Sequence, residues 1–288
     1  MTDTAKSKPT RPVLRWHGGK WILAPWIISH FPEHRVYVEP FGGAGSVLIR
    51  KKRCYAEIWN DLDIEVVNLF QVLRSTDADR LIELLHLTPF SVSEFKQAYK
   101  QTSEPIERAR RLVVRSFMGF GSNGHQRKTG FRSNSNRSGT TPAHDWVNYP
   151  DCLRFSVERL KGVVVLNRDA SDVMMGHDAK DTLHYVDPPY LPNTRDAGRD
   201  YAHELTFEEH QKLLETLKSL AGMAVVSGYP NDMYDTTLSG WHRVQRKALA
   251  DGARERTEVL WINEQCMSRL ISDRLKNTKQ FDLLEIAE

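Results

Sequence analysis

A mostly parallel α/β sheet, interrupted by one inserted module, is the fold that this 288-residue sequence predicts. Three observations point there. Short β-branched-rich runs recur along the chain, helical patterns sit between several of them, and the alternation breaks between about Ser75 and Leu160. Strands that alternate with helices favour parallel pairing, because each parallel strand needs a crossover to return to the same edge. With 40% hydrophobic and 27% charged residues the composition is that of a globular chain, long enough to bury roughly 75% of its unfolded surface.

The strand-like runs are Val36–Glu39, Cys54–Ile58, Val163–Leu166, Leu183–Val186, Met223–Ser227 and Thr257–Ile262. Between the second and the break, Ile64–Leu73 carries apolar residues at helical spacing: Val66, Val67, Leu69, Phe70 and Leu73. A further helix starts at Thr206, where Glu209 stands three residues on, as a capping box requires, and Leu213, Leu214, Leu217 and Leu220 continue the apolar stripe. Inside the break, Leu81–Leu87 and Ile106–Met118 read as helices. They are followed by Gly119–Gly139, a stretch of Gly, Ser, Asn, Arg and Lys too long for an ordinary connection. The expected division is residues 1–75 and 161–288 forming one domain from both ends of the chain, with 76–160 inserted.

Charge is unevenly placed. The net charge of +3 and a pI near 8.7 permit a nucleic-acid partner without requiring one. From Arg108 to Arg137, however, there are eight Lys or Arg residues and no Asp or Glu. No run approaches the apolar length of a bilayer span, and Met1 to Pro12 is polar and basic without the apolar stretch of a secretory signal, so a cytoplasmic protein is expected. Cys54, Cys152 and Cys266 are odd in number and far apart, the histidines show no metal-ligand spacing, and neither a nucleophile elbow nor a phosphate-cradling loop is present. No metal is implied.

Three segments carry chemistry. Glu39-Pro40-Phe41-Gly42-Gly43-Ala44-Gly45-Ser46 joins an apolar strand to the helix start Val47-Leu48-Ile49. Glycines at such a turn let backbone approach a nucleotide cofactor closely, although a tight turn alone explains them equally well. The second strand-like run leads into Asn60-Asp61-Leu62-Asp63, where an acidic side chain is placed to accept hydrogen bonds from ribose hydroxyls. Asp61 or Asp63 would serve equally as an N-cap for the next helix. Directly after Leu183–Val186 comes Asp187-Pro188-Pro189-Tyr190. Two prolines fix φ and donate no backbone hydrogen bond, so the chain leaves the sheet stiff and extended with its carbonyls free. An aromatic amine is a poor nucleophile because its lone pair is delocalised. Acceptors from the Asp187 carboxylate and the Pro188 carbonyl would hold both its hydrogens and aim the lone pair at a methyl donor. Tyr190 would stack on the base, a contact worth roughly 1–3 kcal/mol.

With these segments in view, the chain resembles the Dam-like family of DNA adenine N6-methyltransferases. Leu14-Arg15-Trp16-His17-Gly18-Gly19-Lys20 is similar to that family's N-terminal W-x-G-G-K motif, Glu39 to Ser46 to its cofactor loop, and Asp187 to Tyr190 matches its D-P-P-Y motif without departure. The order is the family's, with the inserted module between the second and third. The resemblance implies a Rossmann-like methyltransferase fold with a seven-stranded sheet, the last strand antiparallel, and an insertion that recognises the target. It implies S-adenosyl-L-methionine as cofactor, held by Trp16, Lys20, Glu39, Pro40, Phe41, Gly42, Gly43, Gly45, Ser46, Asp61, Asp187 and, for the adenine ring, Asp169, with Asp172 as competitor; either of these two could equally cap a turn. It implies catalysis by Asp187, Pro188, Pro189 and Tyr190 on adenine flipped out of double-stranded DNA by a monomer.

For the basic run, Arg108, Arg110 and Arg111 read as a helix face, whereas Arg115, Asn123, Arg127, Lys128, Arg132 and Arg137 lie among Gly, Phe120 and Phe131 in a stretch suited to reading a groove. Two other classes remain as alternatives. One is methylation of RNA adenine or a protein glutamine, since related enzymes carry similar tetrapeptides, and the other is a DNA-binding protein without catalysis.

Overall fold

The computed structural model describes residues 9–121, 128–133, 139–191, 203–249 and 255–285. Its centre is a seven-stranded sheet: β1 (Val36–Glu39), β2 (Ala56–Asn60), β3 (Val163–Leu166), β4 (Thr182–Val186), β5 (Met223–Gly228), β6 (His242–Leu249) and β7 (Glu255–Ile262). The order is β3-β2-β1-β4-β5-β7-β6. The pairs β2/β3, β1/β2, β1/β4 and β4/β5 are parallel, and β7 runs antiparallel to both its neighbours. The expected α/β fold, its seven strands and its antiparallel last strand are therefore present.

Four of the six strand-like runs extend differently from the sequence reading. The largest shift is in β2, which ends at Asn60 rather than Ile58. That matters because Asn60, fully buried, ties three turns together: its amide donates to the Pro40 carbonyl (2.9 Å) and the Arg168 carbonyl (3.0 Å) and accepts from the Arg168 N–H (2.9 Å). β6 was not foreseen. Its sequence, HRVQRKAL, offers no apolar stripe because it pairs with β7 alone at the edge of the sheet, where charged side chains also discourage further pairing.

Register places alternate side chains on two buried faces. On one lie Tyr37, Trp59, Leu183, Tyr185, Val225 and Leu260; on the other lie Val38 and Ile58 in one apolar group and Val186, Val226 and Trp261 in a second. The helices of the 76–160 stretch join the first face. Leu81, Leu85, Leu112, Val113, Tyr149 and Leu153 share its apolar core, and the helix Pro105–Met118 lies along Ile64–Leu73. Fully buried Ser116 on that helix exchanges hydrogen bonds with both backbone groups of Arg15 at 2.8 Å each, so this stretch anchors the Trp16–Lys20 segment. The capping box at Thr206 and Glu209 is present. Among the described residues, no helix is long and apolar enough to cross a membrane.

Candidate active site

The turns at the C-terminal ends of β1, β2 and β4 converge, as parallel strands dictate, and enclose a cleft of about 790 Å³. Its wall includes Trp16, Lys20, Glu39, Pro40, Phe41, Gly42, Gly43, Ser46, Asp61, Asp187 and Pro189. Gly45, Asp169, Pro188 and Tyr190 do not appear in that lining. His203, Glu204 and Leu205, which no sequence motif marked, close another side together with Glu209 of the capping box.

The glycine turn is dictated by what lies beneath it. A Cβ on Gly42 would sit 2.0 Å from the Trp59 ring nitrogen, and Trp59 is itself held by stacking on Phe70 at 4.0 Å. Gly45 has φ +62° and serves as the N-cap of the short helix Ser46–Arg50, a conformation side chains rarely adopt. The Ser46 hydroxyl oxygen is buried without a hydrogen-bond partner and belongs to the cleft wall.

The two aspartates after β2 separate cleanly. Asp63 is the N-cap of Ile64–Leu73, accepting from the Glu65 N–H at 2.9 Å. Asp61 instead accepts from the Gly43 N–H (2.7 Å) and the Asp63 N–H (2.8 Å), which ties the acid to the glycine turn. Burial pushes its pKa up to about 6 against those two hydrogen bonds. Asp169 is exposed and caps the helix Ala170–Gly176 by accepting from the Ser171 N–H (2.9 Å) and the Asp172 N–H (3.3 Å), so the capping role holds there and the cleft is not reached.

At the end of β4 the Asp187 carboxylate sits within a buried polar group. Lys20 Nζ lies 2.9 Å from Oδ2, while Oδ1 accepts from the Ser227 hydroxyl (2.8 Å) and the Tyr190 hydroxyl (3.0 Å). Lys20 also donates to the Gly18 carbonyl at 2.8 Å and lies 3.5 Å from Glu258 on β7. The Tyr190 hydroxyl touches Glu258 as well. The tyrosine ring is 6% exposed, with Lys20 4.8 Å over one side and Tyr229 edge-on at 4.7 Å. It therefore points inward rather than presenting a face to the cleft. Ser227, Tyr229 and Glu258 went unmarked by sequence, because they lie on or just after other strands, up to 68 positions from Tyr190.

Burial dominates the electrostatics of the glutamates at this end of the sheet. Burial pushes Glu39 up to about 8, with the Tyr37 hydroxyl (2.8 Å) and Leu48 N–H (3.0 Å) opposing and the Asp187 charge adding to the shift. Glu258 is raised by burial and by Asp187, with Lys20 opposing.

The basic run is changed most by folding. Arg108 and Arg115 pair with Glu65 (2.7 and 3.5 Å), Arg110 and Arg111 with Glu107 (2.6 Å each), and Arg132 with Asp145 (3.4 Å). Arg115 also donates to the Ala98 carbonyl at 2.7 Å, and its side chain is 12% exposed. The structure thus places Arg115 in the packing of the helices. Lys128 is exposed; Asn123, Arg127 and Arg137 lie outside the described residues. Phe131 packs against Phe90 (5.0 Å) and Phe95 (5.8 Å), while Phe120 is 65% exposed. Among the described residues, no group of three or more His, Cys, Asp or Glu side chains is placed to hold a metal ion.

Residues 16–247 match the profile of a family described as D12 class N6 adenine-specific DNA methyltransferase. A DNA adenine methylase of Haemophilus influenzae is 28% identical over 73% of this chain and 75% of its own length. One from Escherichia coli K12 is 24% identical over 74% and 77%, and one from Salmonella typhi 24% over 83% and 86%.

Proposed function

Because the chain belongs to the D12 class of N6 adenine-specific DNA methyltransferases, we propose that its reaction, methyl transfer to adenine N6 in DNA, takes place at Asp187 with the donor held in the adjoining cleft. The observation that carries this reading is the position of Asp187 at the wall of a cleft that also contains the glycine turn.

The donor we propose is S-adenosyl-L-methionine. A volume of about 790 Å³ suits a nucleoside-sized ligand. The buried Ser46 hydroxyl without a partner and the close backbone of Gly42 and Gly43 suit a polar ligand at this wall. Asp61 retains lone pairs for ribose hydroxyls beside those that hold Gly43 and Asp63. When bound, the donor supplies an electrophilic methyl group on a sulfonium.

Everything else is done by this chain. Asp187 accepts a hydrogen bond from the adenine amine and so localises the nitrogen lone pair. The stiff turn at Pro188 and Pro189 fixes where that acceptor stands. Lys20 and Ser227 hold both carboxylate oxygens, which orients the group before the base arrives. The proton leaves N6 for Asp187 or for solvent. Lys128 contributes to binding duplex DNA, and the protein acts on it as a soluble cytoplasmic monomer.

Incubation with labelled S-adenosyl-L-methionine and duplex DNA, RNA or protein extract tests the reading. Label is expected in DNA at N6-methyladenine. Label confined to RNA or protein would overturn it.

A further inference from the structure

We propose that Glu258 is a positioning residue that works in its protonated form, donating to the Tyr190 oxygen so that the Tyr190 hydroxyl is committed to Asp187. Nothing in the sequence motifs marks it. The inference rests on Asp187 being the acceptor for the adenine amine.

The argument is a count of protons. Tyr190 has one hydroxyl proton, yet its oxygen faces two carboxyl groups, Oδ1 of Asp187 at 3.0 Å and Oε1 of Glu258 closer still. One hydroxyl cannot donate to both. One carboxyl proton must therefore occupy the group, on Asp187 or on Glu258.

Geometry assigns it to Glu258. Asp187 has Lys20 at 2.9 Å, whereas Glu258 has the same ammonium at 3.5 Å. Asp187 accepts from Ser227 at 2.8 Å, and Ser227 is turned toward it by the Tyr185 hydroxyl at 3.1 Å. The Asp187 side chain is 18% exposed and that of Glu258 5%, so Glu258 is the more fully withdrawn from water. Among the described residues, the charged or titratable groups facing Glu258 include Lys20 from the N-terminal segment, Tyr185 on β4, and Asp187 and Tyr190 just after it. With one ammonium, one carboxylate and one carboxylic acid the group is neutral overall, which a buried site demands. The direction in which burial moves Glu258 agrees.

The arrangement has a consequence for the reaction. A chain of donors from Glu258 to Tyr190 to Asp187 fixes the tyrosine ring and leaves Asp187 ionised as an acceptor beside the cleft. Ionising Glu258 would force Tyr190 to choose between two carboxylates and would place a second negative charge against Asp187.

Glu258→Gln and Glu258→Ala decide the matter, because an amide donates permanently where the acid donates only when protonated. The Gln variant is expected to keep most of the wild-type kcat, and the Ala variant to lose about tenfold, the size of one lost hydrogen bond. In infrared difference spectra at neutral pH, wild type minus Glu258→Gln should show loss of a protonated carboxyl stretch, still present in Asp187→Asn. A Gln variant as impaired as Ala, or a difference spectrum showing loss of an ionised carboxylate, would overturn the proposal. Activity retained by Asp187→Asn would instead overturn the reading of the site on which it rests.

Discussion

The two ends of the sheet carry buried ionic groups of opposite character. At the N-terminal end of β2, the carboxylate of Glu57 meets Lys51 at 2.6 Å and Arg159 at 2.6 and 2.8 Å, one acid against two cations. Burial works to raise Glu57, but Arg159 and Lys51 outweigh it and hold the group below the usual carboxylate range. At the C-terminal end, Asp187 and Glu258 share one ammonium, that of Lys20, and burial raises both Glu258 and the neighbouring Glu39. The first group is a closed structural pairing. At the second, burial dominates and carries Glu39 up to about 8, and pKa values moved in opposite directions in this way are what a proton-handling site requires.

The sharpest way to break that contrast is to delete one acid at each end. Asp187→Ala should lower kcat per folded molecule by roughly 10²- to 10⁴-fold, the range of a lost acid-base or orienting group. Glu57→Gln should do the reverse. It leaves two buried cations without their partner and should cost about 3–5 kcal/mol in denaturant unfolding, while activity per folded molecule stays near wild type. If Glu57→Gln proved inactive at full stability, the division into structural and functional ends would be wrong.

The pH dependence of stability should also have opposite signs at the two ends. Glu57, held low in the folded chain, contributes stability above its unfolded pKa that is lost as pH falls through its folded value. Glu39 ionises near 4.5 when unfolded and at about 8 when folded. Between those values the folded chain binds the extra proton, so the Glu39 contribution is full at the acid end and declines as pH rises to about 8. Chemical denaturation of wild type and Glu39→Gln across that interval should show the variant gaining relative stability toward alkaline pH. Parallel curves would mean that Glu39 is ionised throughout.

What the sequence revealed follows the same line. Glu39 to Ser46 and Asp187 to Tyr190 were legible because each motif is contiguous and follows an apolar strand, so a local pattern places it at a strand end. The central strands were legible because burial on both faces demands apolar runs. Glu258, Ser227 and the Lys20–Asp187 contact were not, since strand order brings together residues dozens or more positions apart. β6 escaped because an edge strand needs no apolar stripe. The capping roles of Asp63 and Asp169 were each one of two readings that only backbone geometry separates.

Pairing across sequence also corrects the basic run, and here the expected effect is smallest. No acid lies among its cations in the sequence, yet Glu65, Glu94, Glu107 and Asp145 reach in from outside. Arg115, paired and packed, belongs with the structural kind of charge; Lys128, exposed, belongs with the kind left for a partner. Lys128→Gln should weaken DNA binding evenly across sequences and reduce the slope of log affinity against log salt by about 0.9, one phosphate contact. Arg115→Gln should leave that slope unchanged and lower stability instead. A salt slope that falls for Arg115→Gln but not for Lys128→Gln would reverse the assignment and place the helix Pro105–Met118, rather than the stretch after it, against the phosphate backbone.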